Sequence, residues 1–218
     1  MPRIIEVFLS LSALFLLLPL FIPIVLILLL TGENKVFYLQ NRVGYKNKNF
    51  KIIKFATMLA NSPNMGSGSL TLRDDPRVLP FGIFLRKFKI NELPQILNII
   101  IGDLSIVGPR PQMHIDFEKY SKEVQKKIFN VRPGLTGIGS IVFRDEETLI
   151  SAAAENENPH DFYKRVIAPY KGELEMWYQK HRSIYLDFQL IFITVWVILF
   201  PETRIYEKWF RDLPIRKF

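Results

Sequence analysis

The longest uninterrupted feature of the hydropathy pattern is VFLSLSALFLLLPLFIPIVLILLL, residues 7–30, in which no position is charged. As a helix this stretch is roughly 36 Å long, comparable to the ~30 Å hydrocarbon core of a bilayer. Apolar residues occupy every face, which argues against an amphipathic core helix. The run is too long for a signal peptide, and no small-residue cleavage site follows it. It predicts a membrane segment. Pro19 and Pro23 interrupt it, and each removes a backbone donor, so a kink is expected near the middle. Such a helix can cross the membrane or enter and leave on one side.

Beyond it the pattern changes to that of a small mixed lobe. VFYLQNRVG and FKIIKFATM read as two strands with a turn at Gly44, and NSPNMGSGS, residues 61–69, reads as a flexible loop. A helix is expected near residues 81–88. Leu93, Ile96, Leu97 and Ile100 fall at helical spacing and predict a second one, with Asn91 as N-cap, Glu92 in the positive field of the helix start and Pro94 in the first turn. DFQLIFITVWVILF, residues 187–200, is short for a span and suits a core or interfacial helix. The tail that follows carries Tyr206 and Trp209 among Arg204, Lys208 and Arg211, which, with Trp196, is the mixture of a segment lying at a head-group boundary.

Charge sharpens this division. The net charge is +8, which favours anionic partners. Between residues 34 and 58 stand Lys35, Arg42, Lys46, Lys48, Lys51 and Lys54 with no acid, so the flank after the apolar block is expected in the cytoplasm against anionic lipid. Residues 145–175 reverse the balance, with eight acids to three bases, and are expected to face the cytosol. The basic residues crowd the anchor and carry no reading motif, so nucleic acid is not expected as a partner. There is no cysteine, which excludes disulfides and thiolate metal sites. His114, His160 and His181 do not stand at ligand spacing, and no Walker loop or dinucleotide fingerprint is present.

Candidate chemistry concentrates in KINELPQILNIIIGDLSIVGPRP, residues 89–111. Prolines on both sides stiffen Arg110, which therefore loses little freedom on engaging a phosphate through its planar fork. Glu92 supplies an oxygen ligand for a hard cation such as magnesium, with Asp103 as a second candidate carboxylate. Arg77 and Arg86 flank the region and are candidates to converge on a diphosphate. RPGLTG, residues 132–137, is a glycine-bearing turn able to offer backbone donors to an anion.

The stretch DDPRVLPFGIFLRKFKINELPQILNIIIGDLSIVGPRP, followed by VRPGLTG and WYQKHRSIYLDFQLIFIT, resembles the bacterial sugar transferase family, the monotopic phosphoglycosyl transferases, over nearly the whole chain. The resemblance implies an α+β fold: a kinked re-entrant membrane helix broken at Pro19, a small, mainly helical cytosolic catalytic lobe, and interfacial amphipathic helices. It divides the chain into an anchor at 1–33, a catalytic domain at 34–200 and a basic interfacial tail at 201–218. It implies transfer of a sugar-1-phosphate from a UDP-sugar to a polyprenyl (undecaprenyl) phosphate, releasing UMP, at the cytoplasmic face of the bacterial inner membrane, as the first membrane step of surface glycan synthesis. Membrane lipids, a second copy of the chain and downstream glycosyltransferases are the further partners it implies.

By the same resemblance, an Asp-Glu pair with Mg2+ does the chemistry, the aspartate attacking to form a covalent phosphosugar. Here Asn91 stands at the aspartate position, while Glu92 matches the glutamate. Three outcomes follow: another carboxylate attacks, the acceptor phosphate attacks directly, or the chain is an inactive membrane scaffold of the same fold. Catalytic roles are implied for Glu92, Asn91 and Arg110, metal binding for Glu92, and substrate contacts for Arg77, Arg86, Gln95, Arg132 and Arg144. Two smaller departures are Leu18 before Pro19, where serine is usual, and Ala56, where a basic residue is common.

Overall fold

The computed structural model describes all 218 residues. The apolar block forms α1, Arg3–Leu30, with Pro19 and Pro23 inside it. Only 11% of its most apolar window is buried, so it is no core helix. Its covered positions nevertheless recur at three- and four-residue steps, from Glu6 and Ser10 through Leu14, Leu17 and Phe21 to Ile24 and Leu28. The helix is most covered at its two ends, at Glu6 and Ser10 and again at Ile24 and Leu28. Near its start Arg3 donates to the Ile99 and Leu104 carbonyls and Glu6 accepts from the Ser105 hydroxyl. Near its end Ile24 and Leu28 pack with Phe55 and Leu85.

The two predicted strands form an antiparallel hairpin, β1 (Phe37–Val43) with β2 (Asn49–Phe55), Phe37 opposite Phe55. Lys46 and Asn47 adopt positive φ to close the turn after Gly44. α2, Pro80–Lys87, begins with the proline at its first position, where a missing donor is harmless. Lys89 then takes a left-handed conformation, φ 58°, and Ile90–Glu92 forms a single 3-10 turn. This corrects the expected N-cap. Asn91 caps nothing, because α3, Gln95–Ile101, starts only after Pro94, and Asn91 is buried inside the preceding turn. Along α3 the inward side chains are Ile96 and Ile99, while Leu93, Leu97 and Ile100 are half-covered.

A short parallel pair follows, β3 (Ser105–Val107) against β4 (Gly134–Thr136), with α4 (His114–Phe117) and α5 (Lys122–Lys127) between them. α6 (Ile138–Val142), α7 (Glu146–Ala154), α8 (Pro159–Phe162), a π turn at Tyr163–Ile167 and α9 (Ala168–His181) complete the lobe, before α10 (Ile184–Leu199) and α11 (Ile205–Trp209). The main core runs through Ile138 and Ile141 of α6, Leu174 and Tyr178 of α9, and Leu190 and Ile193 of α10. Burying each such side chain contributes roughly 1.5–3 kcal/mol. α10 is apolar on both sides: Leu186, Leu190, Ile193 and Val197 face this core, while Phe188, Phe192, Val195 and Leu199 are exposed. In the tail, Tyr206, Phe210 and Leu213 are buried in the same core, and Trp209 stacks on Phe192 at 5.5 Å. The tail is thus packed onto the lobe, with Trp209 and Ile215 left outside.

Candidate active site

The site begins with three backbone devices that place stiff segments side by side. Asn98 of α3 accepts from the Ile53 amide at 2.9 Å and donates to the Lys51 carbonyl at 2.8 Å, which fixes β2 beside α3. Val43 donates to the Gln112 carbonyl at 2.8 Å, which ties β1 to the chain just after Arg110. The third device is glycine contact. A Cβ on Gly134 would overlap the Gly108 nitrogen, and one on Gly137 would overlap the Gly108 carbonyl. The 108–111 and 132–137 segments can therefore lie backbone to backbone, with Gly134 donating to the Pro109 carbonyl at 2.9 Å. Within RPGLTG the Gly134 donor is therefore already used, holding the arginine-bearing segment, and is not free for an anion.

Together these devices bring Arg110 to Glu92. Its Nη2 donates to Glu92 Oε1 at 2.8 Å, and Lys54 Nζ of β2 stands 3.5 Å from the same oxygen. Burial alone would raise the Glu92 carboxyl, but Arg110, Lys54 and Lys89 outweigh it and hold it well below the usual carboxylate range. Arg110 is in turn held more firmly charged by Glu92. Burial, followed by the nearby Arg42, Arg110 and Arg86 cations, brings Lys54 down to about 7 against the pull of Glu92. Arg42 is likewise lowered to about 10, first by burial and then by Arg110. Glu92 is thus set among five basic residues, Arg42, Lys54, Arg86, Lys89 and Arg110. A pyrophosphate would relieve their mutual repulsion.

The remaining expectations divide sharply. Arg86 belongs to the basin, and its Nη2 pairs with Glu147 Oε1 of α7 at 2.7 Å, so the acidic zone reaches the mouth of the site. Arg77 does not belong to it. It is 3% exposed, forks onto Asp75, and donates to the carbonyls of Ser62, Met65, Gly68 and Leu70. Every donor is spoken for, so Arg77 pins the loop that its composition marked as flexible, and it has none left for a substrate. Gln95 lies inside the lobe, 2% exposed, where a ligand cannot reach it without displacing its neighbours. Arg132 donates to the Gly102 carbonyl at 3.1 Å and lies over the Tyr45 ring, at the far end of α3 from Glu92. Asp103 accepts from Asn98 at that same end and is no partner for Glu92. Arg144 forms no ion pair, and burial lowers its pKa. Lys54, Lys89, Glu147 and Glu175 were not singled out by sequence reasoning. Only the unbroken run of bases at 34–58 hinted at the first.

Asn91 is 6% exposed and its Oδ1 has no hydrogen-bond partner. No three His, Asp or Glu side chains converge into a ready metal cage. The carboxylate able to hold magnesium is Glu92, and a single carboxylate suits an ion that keeps most of its shell as water and substrate phosphate.

A stiff Arg–Glu pair thus lies in a basic basin, on a lobe that packs against an apolar helix. A family model described as bacterial sugar transferase matches residues 1–201, and the chain belongs to that family. Among curated relatives, it is 34% identical over 166 residues to the exopolysaccharide production protein ExoY of Sinorhizobium fredii, covering 70% of this chain and 73% of that one. It is 33% identical to the UDP-N-acetylgalactosamine-undecaprenyl-phosphate N-acetylgalactosaminephosphotransferase of Aeromonas hydrophila, covering 83% of this chain and 40% of the relative. It is 30% identical to the undecaprenyl-phosphate glucose phosphotransferase of Komagataeibacter xylinus, covering 81% of this chain and 32% of the relative. The chain therefore spans less than half the length of the latter two.

Proposed function

We propose that the protein transfers a sugar-1-phosphate from a UDP-sugar to polyprenyl phosphate, releasing UMP, at the cytoplasmic face of the inner membrane. The observation that carries this reading is the 2.8 Å Arg110–Glu92 pair inside the basic basin. The names of the Aeromonas and Komagataeibacter relatives support the substrate classes. The anchor at 1–33 and the catalytic lobe at 34–200, with its tail at 201–218, act as one unit in this reading. A re-entrant α1 is favoured because both of its ends rest on the same lobe.

In the reaction, an oxygen of the acceptor phosphate bonds to the sugar-bearing phosphorus, and the bond from that phosphorus to the bridging oxygen breaks, so UMP leaves with the bridging electrons. Arg110 and Arg86 hold the charge that builds on the transferred phosphoryl oxygens. Glu92 would hold magnesium, which would supply positive charge to neutralise the diphosphate. The anchor keeps the basin at the depth of the lipid phosphate, which shortens the search for it. Two routes remain for this site. The acceptor displaces UMP directly, or a Glu92 carboxylate oxygen first bonds to that phosphorus and displaces UMP, after which the acceptor phosphate takes the phosphosugar by breaking the Glu92–phosphorus bond.

Purified protein in nanodiscs, given UDP-sugars, magnesium and undecaprenyl phosphate, is expected to release UMP in a Glu92-dependent manner. Silence across a broad donor panel would leave a scaffold as the better description. Mass spectrometry of protein incubated with donor alone separates the routes, since only the second leaves an adduct on Glu92. The Asn91→Asp variant tests whether the amide is a lesion, in which case activity rises steeply, or a settled feature of the site.

A further inference from the structure

A cavity of 590 Å3 lies beside the basin, walled by the end of α1, by β1 and by the start of α2. Two glycines shape it. Gly32 takes φ +57° to turn the chain out of α1, and Gly82 lets the first turn of α2 touch the Thr57 carbonyl, where a Cβ would collide. Leu28, Leu39, Leu79 and Phe81 make most of its wall apolar. Its volume is within the roughly 300–1,000 Å3 typical of sites for small ligands.

Its two ends differ in chemistry. The outer rim is apolar and uncovered: Phe37 and Leu39 are about half exposed, and Phe81 stacks on the exposed Phe84, next to Ile83. Leu30, at the foot of the membrane helix, is 81% exposed. Surface of this kind, continuous with an apolar helix, is covered by lipid. At the inner end stands Met58, whose sulfur lies 3.7 Å from Arg86 Nη1. One step beyond the cavity is therefore the basic basin; on the wall itself the charges of Lys35 and Glu33 oppose each other.

We propose that this cavity is the seat of the acceptor's chain: the isoprene units next to the phosphate of a polyprenyl phosphate lie between α1, β1 and α2, with the phosphate on Arg86. The assignment rests on the transferase reading and adds to it a place for the lipid. Charge favours this occupant over a bilayer phospholipid. A phosphate monoester on a single chain brings up to two negative charges to the basin. A phospholipid is a diester with one charge on its phosphate, carrying two chains and a further head group. Met58 marks the junction between the two halves of the ligand, apolar towards Leu79 and polarisable towards Arg86.

The test uses the full chain in nanodiscs and a polyprenyl phosphate carrying a diazirine on an isoprene unit near the phosphate. Photolysis is expected to label peptides spanning 28–39 and 56–82. Excess undecaprenyl phosphate should abolish the labelling, and excess phosphatidylglycerol should not. Ala60 is exposed on the cavity wall, so Ala60→Trp fills the space without entering the core. It should raise the KM for the polyprenyl phosphate at least fivefold and leave the KM for the UDP-sugar unchanged. Labelling confined to α10, equal competition by phosphatidylglycerol, or an unchanged acceptor KM would each overturn the assignment. Specific labelling of a chain that releases no UMP would instead uphold the lipid seat and refute the transferase reading.

Discussion

Arg77 with Asp75 and Arg110 with Glu92 make the same contact, guanidinium to carboxylate, at 2.6 and 2.8 Å. What separates them is how much of each arginine the protein consumes. Arg77 gives its remaining donors to four loop carbonyls and the Ser67 hydroxyl, and its side chain is 4% exposed. Arg110 makes one side-chain hydrogen bond, to Glu92, and its side chain is 31% exposed. A saturated arginine is a strut. An arginine with donors left over, held on a proline-stiffened segment in a basin of like charge, is available to a ligand. Neither distance nor sequence context tells these apart; the count of occupied donors does.

The comparison is broken most forcefully at the strut. Arg77→Ala leaves Asp75 buried without its partner and frees the carbonyls of residues 62–70, so a loss of about 3–5 kcal/mol is expected. Thermal unfolding in nanodiscs would register this as a large drop in Tm, with activity lost only in proportion to unfolded protein. At the site the pattern should invert. Arg110→Ala and Glu92→Gln should each lower UMP release by about 10²–10³-fold, the scale for removing one group that stabilises developing charge. The same Tm assay should move far less than for Arg77→Ala. If both arginines behave alike in the two assays, occupied donors do not distinguish them.

Much of this was legible beforehand, and the omissions have a common cause. The apolar run, the hairpin, α2 and α3 follow from periodicity and from proline and glycine placement. The Arg110–Glu92 pairing could be anticipated because both residues lie in one stretch with stiff backbone around each. Arg77 was misjudged because its partners are carbonyls, which every residue carries and no composition reveals. Lys54 went unnoticed as a site residue because it reaches Glu92 through the β2–α3 clamp made by Asn98, a contact between segments 45 residues apart. RPGLTG was recognised as special by its glycines, but whether a free N–H meets an anion or the neighbouring strand is decided by what lies across from it.

A third carboxylate extends the comparison to one with no full partner. Glu175 of α9 is 1% exposed. Its Oε1 accepts weakly from the Arg110 amide at 3.4 Å, and its Oε2 has no partner. Burial pushes its carboxyl up to about 7, despite the Arg110 amide and Lys171. The folded pKa therefore lies above the ordinary value of 4.5. Between those values the folded chain keeps a proton that the unfolded chain has released, so stability falls as pH rises from about 4.5 to 7 and is level above. Glu175→Gln removes this penalty. It should be more stable than the parent at pH 8, by at most about 3 kcal/mol at ~1.36 per pKa unit, with the gain shrinking to nothing by pH 4.5. Tm measured for both proteins across pH tests this, and a gain independent of pH would assign the effect to packing instead.

The smallest effect belongs to the pair that should yield first. Arg86 and Glu147 meet at 2.7 Å, as close as the other two pairs, but the Glu147 side chain is 51% exposed. Pairs of this kind contribute about 0.2–1 kcal/mol, because water and salt compete for both charges. Glu147 therefore occupies Arg86 without holding it firmly, and an incoming diphosphate can displace it where it could not displace Asp75 from Arg77. Glu147→Gln removes the competitor and leaves Arg86 in place. Its Kd for UDP, measured by calorimetry at low salt, should fall about two- to fivefold, and the difference should narrow at high salt as the pair is screened. Weaker UDP binding by the variant would mean that Glu147 contacts the donor directly. Arg86 would then belong with the consumed arginines, and the line between strut and ligand-holder would have to be drawn at burial instead of at occupied donors.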